Sequence, residues 1–426
     1  MDFKNKNLIV VSIFGFIATY LLFYVRFTYF AGTDVMRFPA DLFAMKPICA
    51  DLLLSTSSSL EIVKHMKMQV VPWVYSPLFV LIYAPLGLID TLYLKWLSSI
   101  TIIVSVVACC IYFPRQYKRS LFNSPVAIIV FITIFFSYGL RFEIERGQWN
   151  TQTFLLVLLG LKFKDSRNLY YKLLGYVLFS IGVHLKLWPL IFTICFIDVE
   201  EKILTNVRNL FYLGIFNVLL LFVLGRSFLY EYFHGLGHAT TNFNVWIANI
   251  SLSAYFIQIE SYFHISHSIS LFLIVAFLII YASSIILGMI RGINGSNILI
   301  LYQTLLGGLL FPSTSFDYKL SVLGIGTCLL FTCYDNIFIS SESLFNITIK
   351  NGLKISCNYK SLIHLFSLGI IITSYSSLIY SYYYRVDFGF IWGSATTYII
   401  ASSLAVSYLI YYNSTKLMDG LKVKSS

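Results

Sequence analysis

The strongest constraint on this chain is a succession of apolar runs, each close to the roughly 20 residues that a helix needs to cross a bilayer. Clear runs occupy 8–25, 96–113, 124–140, 151–163, 209–224, 268–290, 297–311, 320–334, 361–382 and 391–412. Lipid offers no hydrogen bonds to a backbone, so such runs fold as helices that satisfy their own N–H and C=O groups. Only 12% of the residues are charged, against about 25% in a soluble domain. The pattern excludes a soluble enzyme and predicts an all-α, polytopic integral membrane protein. The N-terminus has a basic start at Lys4 and Lys6, then an apolar run with no small-residue cleavage site before Arg26. It reads as a retained first helix.

Two stretches are interrupted. Residues 173–197 carry His184, Lys186 and Pro189 near their middle, so two short segments meeting at a bend are expected. Residues 76–92 hold Pro77, Pro85 and Gly87 and form either a span or a helix lying at the interface. Charge separates these readings. If 76–92 does not cross, most of the 30 lysines and arginines fall in short loops on the N-terminal side, as the positive-inside rule asks of a cytoplasmic face. These include Arg115, Lys118, Arg119, Lys162, Lys164, Arg167, Lys172, Lys202, Arg208 and Arg291. The expectation is about twelve crossings, both termini cytoplasmic, and 76–92 on the outer face. The net charge of +11 then reflects topology and calls for no nucleic acid. Cys109, Cys110, Cys195, Cys328 and Cys333 lie in or beside apolar runs, with neither disulfide framework nor metal spacing.

The outer loops gather the unusual polar groups. Arg141, Arg146, Lys186, Arg226, Lys319 and Arg385 all sit near the outer boundary, against the positive-inside preference. Charge at membrane depth is costly and marks a site or pathway. Lys186 lies inside an apolar run beside His184. Snorkelling to the interface is the plain reading; a point charge for a phosphate is the functional one. In RGQWN (146–150), Gln148 and Asn150 either cap a helix at the membrane surface or bind a ligand. His234 and His238 have a metal pair's spacing with Glu231 nearby, but Gly235 and Gly237 argue against a helix that would make them converge. No metal site is assigned; no cofactor is called for, and a divalent cation stays open.

In order along the chain, GTDVMRF, VYSPLFVLIYAPLGLI, RGQWNTQTFLLVLLGL, GVHLKLWPLIF, NISLSAYF and TSFDYKLSVL resemble the motifs of bacterial GT-C glycosyltransferases, in the branch typified by polyprenyl-phosphate-mannose-dependent mannosyltransferases. The resemblance covers roughly residues 30 to 320. Three positions depart from it: Ser76 stands for a proline, Ile250 for a glutamine, and Asp317-Tyr318 for a His-Tyr pair. The resemblance implies a GT-C fold with a large first periplasmic loop. The whole of 1–426 is then a single transmembrane domain, with a GT-C-type module over 1–225, its outer loop at 26–95, and variable C-terminal helices over 226–426.

The resemblance also implies an activity: transfer of a hexose, mannose or glucose, from a polyprenyl-phosphate sugar to a lipid-linked or cell-envelope glycan such as O-antigen. The site would face the periplasm from a bacterial inner membrane. A base must take the acceptor proton, and cations must stabilise the departing phosphate. Asp34 is the expected base. Asp41 competes, although Pro39 places it in a first helical turn, where a carboxylate has an ordinary use. Lys186 and His184, with Arg146 and Arg141, are the candidates for phosphate. Gln148, Asn150, Tyr75, Asn249, Asp317, Tyr318 and Lys319 are the candidates for donor and acceptor, with helix capping the plainer role for Asn249 and Ser251. The rival readings are an O-antigen or capsule polymerase, which calls for large outer loops in mid-chain, and a lipid-linked glycan flippase, which calls for ionisable residues deep in several helices.

Overall fold

In the computed structural model, the structure describes residues 75–137, 139, 140, 143, 144, 147–242, 249–312, 315, 319–334, 343–348, 354–358 and 395–425. The expected first span, the loop up to residue 74 and the run 361–382 lie outside them.

The described chain is a helical bundle, as the apolar runs require. Helix α1 (Pro77–Tyr83) begins at Ser76, whose Oγ accepts the N–H of Phe79 at 3.2 Å, and Pro77 takes the first position, where no N–H is needed. Pro85 then tightens the chain into a 3-10 stretch, Ala84–Leu88. The segment 76–92 therefore contains a short broken helix. It buries Phe79, Val80 and Tyr83 in one cluster with Leu94, Leu185 and Phe228, at the ends of other helices.

Helix α2 (Thr91–Tyr112) runs into a 3-10 turn, Phe113–Tyr117. Ser124 caps α3 (Pro125–Phe136), its Oγ 3.3 Å from the N–H of Ala127. Helices α4 (Asn150–Lys164) and α5 (Leu169–Leu185) form a hairpin. They touch backbone to backbone: a Cβ on Gly160 would lie 2.9 Å from Gly175 O, and one on Gly175 would lie 2.9 Å from Gly160 O. Small residues at such contacts are how membrane helices approach closely.

The expected bend is present. Helix α5 stops at Leu185, Lys186 is extended at φ −150° and ψ 133°, and Pro189 stands early in a 3-10 segment, Trp188–Phe196. That segment returns along α5, since the Phe196 ring lies 4.6 Å from Phe179 and 5.9 Å from Tyr176.

Beyond it come α6 (Ile203–Leu221), α7 (Arg226–Asn242), α8 (Leu252–Phe263), α9 (His267–Ile290), α10 (Ile298–Leu310), α11 (Leu320–Tyr334) and α12 (Ala395–Ser425). HGLGH lies inside α7, against the expectation that its glycines exclude a helix. Two glycines cost about 1 kcal/mol each in a helix; burial of Phe228 and Tyr232 on one face of α7 opposes that cost. One hairpin departs from the helical pattern: β1 (Ser343–Thr348) pairs antiparallel with β2 (Lys354–Asn358). Asn351-Gly352, between them in sequence, is a dipeptide that favours tight hairpins.

Among the described residues, Trp96–Tyr117, Ile203–Leu221 and His267–Ile290 are long and apolar enough to cross a membrane, and five shorter apolar helices accompany them. Helices α6 and α9 leave large side chains such as Phe211, Leu219, Phe272 and Ile279 exposed, a surface suited to lipid. Helix α10 is the opposite: every residue of it is buried. Its Gln303 donates to Ser403 and Ser407 of α12 at 2.9 Å each, and Tyr302 meets Thr327 of α11 at 3.0 Å.

The ends of the bundle are tied differently. At one end Tyr117 donates to Ser296 O at 2.6 Å, and Asn294 to Asp198 at 2.8 Å. The other end collects Ser76, Gln148, Lys186, the last turn of α6 and the first turn of α7.

Candidate active site

The site is built where α5 stops. Pro189 cannot continue a regular helix, so the chain leaves α5 at Lys186 with its side chain half-buried. Among the described residues, its Nζ donates to Gln148 Oε1 and lies 5.0 Å from the centre of the Tyr75 ring. Ser76 fixes the approach of this strand to the bend, donating from Oγ to His184 O at 2.6 Å. The serine that stands where the resembled family has proline thus caps α1 and braces the bend at once. From Tyr75 a ladder of rings runs through Phe79 and Tyr83 to Trp149, with successive centroids 4.2, 4.0 and 4.5 Å apart.

Lys319 arrives from the far side of the chain, at the head of α11. It is buried, and its Nζ donates to Ser315 Oγ at 3.2 Å. Burial, and then the positive charge of Lys186, push its pKa down from 10.5 to about 7. The second cause places the two lysines within electrostatic reach of each other. A buried ammonium beside a second, half-buried one suits an anion that can meet both.

Asn249 supports Lys319 from below. Its Oδ1 accepts the N–H of Ser251 at 3.1 Å and of Ser315 at 2.8 Å, and Ile250 N donates to Ser315 O at 2.6 Å. Ser251 caps α8 through Ala254 N at 3.2 Å, the structural role expected for it. His184 faces α6, with Nε2 3.0 Å from Asn217 O, and ties the end of α5 to that helix.

Asn150 settles the capping question raised by RGQWN. Trp149 occupies the N-cap position without a side-chain bond, and Asn150 is the first residue of α4. It is fully buried, and among the described residues neither Oδ1 nor Nδ2 has a hydrogen-bond partner; the same holds for Thr153 Oγ1, Trp149 Nε1 and Trp188 Nε1. Buried polar groups are nearly always paired, so such a group of unmet donors and acceptors on the first turn of α4 and the start of the returning 3-10 segment is suited to hydroxyls.

Asp34, Asp41, Arg141, Arg146, Asp317 and Tyr318 lie outside the described residues. Among the described residues no group of three or more His, Cys, Asp or Glu side chains could hold a metal ion. Sequence reasoning passed over Thr153, Ser315 and Glu143. Glu143 is buried at the lip of α4, where burial pushes its carboxyl up to about 7 against hydrogen bonds from Ser321, Thr151 and Asn150 that lower it. No local signal in the sequence singles it out, because its burial depends on where α11 packs.

Residues 73–315, more than half of the chain, match the sequence model of glycosyltransferase family 87. No curated protein matches the chain.

Proposed function

Because the chain belongs to glycosyltransferase family 87, a GT-C-type family of membrane glycosyltransferases, we propose that it moves one hexose, mannose or glucose, from a polyprenyl-phosphate sugar to a lipid-linked or cell-envelope glycan. The carrying observation is the placement of Lys186 at the end of the bundle where α5 stops, its Nζ on Gln148 Oε1 and over the Tyr75 ring, with buried Lys319 close enough to feel its charge. A sugar phosphate carries its negative charge at the group that leaves. As the bond from the anomeric carbon to the phosphate oxygen breaks, charge grows there, and the ammonium groups of Lys186 and buried Lys319 stabilise it. Half-buried Tyr75 and Trp149, at the two ends of the ring ladder and backed by buried Phe79 and Tyr83, supply apolar surface for the first part of the lipid tail. The unmet groups of Asn150 and Thr153 supply hydrogen bonds for sugar hydroxyls.

The acceptor hydroxyl attacks the anomeric carbon from the opposite side and gives its proton to a carboxylate, Asp34 in first place and Asp41 in second. One displacement inverts the configuration. Arg115, Lys118, Lys162, Arg167, Lys202 and Arg208 belong to the other end of the bundle, which supports a cytoplasmic position for that end and an extracytoplasmic one for the site.

The test is a donor panel with the purified protein in nanodiscs: polyprenyl-phosphate mannose, polyprenyl-phosphate glucose and the matching nucleotide sugars. Release of polyprenyl phosphate with addition of one sugar is the expected result. Use of nucleotide sugars alone, chain lengthening, or unaltered lipid moved between leaflets would overturn the reading.

A further inference from the structure

We propose that Glu143 is a positioning residue for the phosphate cradle: its buried carboxylate clasps the first turn of α4 to the head of α11 and so sets the spacing between Lys186 and Lys319. The inference rests on the phosphate role given to those two lysines.

Glu143 has no exposed surface. Oε1 accepts the backbone N–H of Thr151 at 2.8 Å and its hydroxyl at 3.3 Å. Oε2 accepts the hydroxyl of Ser321. The backbone of Glu143 takes part as well, since its carbonyl accepts the N–H of Gln148 at 3.0 Å. Gly147, at φ +63°, makes the reversal that this closure needs. A side chain with a Cβ is strained at that angle.

Each lysine is therefore a short path from one carboxylate. Gln148 bonds Glu143 through its backbone and Lys186 through its side chain. Ser321 bonds Glu143 and stands two residues after Lys319 in the same turn. The packing beneath is tight: a Cβ on Gly139 would lie 2.6 Å from Ser321 N. The head of α11 has little room to shift, and Glu143 fixes its direction.

The carboxylate has a second consequence. It occupies the positive end of α4, the place to which an anion is otherwise drawn. An incoming phosphate finds that end filled and is left to the lysines. An apolar side chain would join the same two helices at lower cost in desolvation, but it would supply neither directed bonds nor this exclusion.

The test uses the full chain in nanodiscs, with Glu143→Ala, Glu143→Gln, Ser321→Ala, Lys319→Ala and the double variant Glu143→Ala/Lys319→Ala. With the polyprenyl-phosphate sugar that the wild type turns over, Glu143→Ala raises donor KM about tenfold or more and leaves acceptor KM unchanged. Glu143→Gln restores most of the loss. In the double variant Glu143→Ala adds less than about twofold to the effect of Lys319→Ala, because the lysine that it positions is gone. A second arm needs no donor: the rate at which a small acylating reagent modifies Lys319, read by mass spectrometry, changes severalfold in Glu143→Ala and Ser321→Ala. If Glu143→Ala fails to fold, Ser321→Ala carries both arms. A lowered thermal midpoint with unchanged donor KM, additive losses in the double variant, or unchanged Lys319 reactivity would each overturn the inference. A wild type that ignores every polyprenyl-phosphate sugar overturns the function reading instead, and the reactivity arm still decides this one.

Discussion

At the end of the bundle where α4 and α2 finish, cations sit in water or beside acids. Arg115, Lys118, Lys162, Arg167, Lys202 and Arg208 are exposed, and buried Lys164 has Asp165 at 3.1 Å. At the end where α5 stops, Lys319 is buried with another lysine for a neighbour. The same residue types serve two purposes. Exposed cations of this kind are what the positive-inside rule asks of a cytoplasmic face. The buried charge of Lys319 is what the proposed function assigns to something negative.

The largest expected effect falls on Lys186. Lys186→Ala lowers kcat/KM by about 100-fold to 1,000-fold, whereas Lys118→Ala and Arg208→Ala leave it within about twofold. Equal losses from both ends in a purified-protein assay would erase the contrast.

Asn150 sharpens it further, because stability and activity move in opposite directions. Asn150→Leu removes two unmet buried polar atoms, so the thermal midpoint rises by about 2–4 °C. Transfer falls about tenfold as the sugar loses a partner. A variant that is both more stable and fully active would remove Asn150 from the site.

The buried lysine also predicts a pH dependence. With its pKa lowered to about 7, Lys319 is charged below that pH and loses its proton above it. Donor KM measured from pH 6 to pH 8 therefore rises about tenfold. Lys319→Arg, whose guanidinium stays charged, flattens the profile.

The smallest effect belongs to the other end. Asn294→Ala deletes the 2.8 Å bond to Asp198 and costs about 1 kcal/mol of stability, with kcat/KM unchanged.

What was legible in the sequence is what local chemistry decides. Pro189 announced the bend after α5, because a missing N–H acts on its own turn; Pro77 and Pro85 marked 76–92 as interrupted but left open whether it spans or lies at the interface. The apolar runs gave the helices for the same reason. The helix through Gly235 and Gly237 was hidden, since the cost of each glycine is local and the burial of Phe228 and Tyr232 depends on their neighbours in space. Lys186 and Gln148 stood out as polar groups in apolar surroundings. The approach of Lys319 to Lys186 did not, because it joins residues far apart in the chain through Asn249, Ser315 and the start of α11. Glu143 was passed over. Its burial and its bond to Ser321 depend on where α11 lands.

The close contact of Gly160 with Gly175 bears on biogenesis. Helices α4 and α5, joined by the turn at 165–168, form a self-contained pair that is suited to leave the translocon together. When they do, Gln148 and Lys186 emerge at the open ends of the pair on one side, within reach of each other. Half of the proposed cradle is then in place while the ribosome is still far from Lys319. Maturation of the enzyme then awaits a single late delivery, and a nascent chain stalled after α6 would already carry the Gln148–Lys186 bond but no second cation.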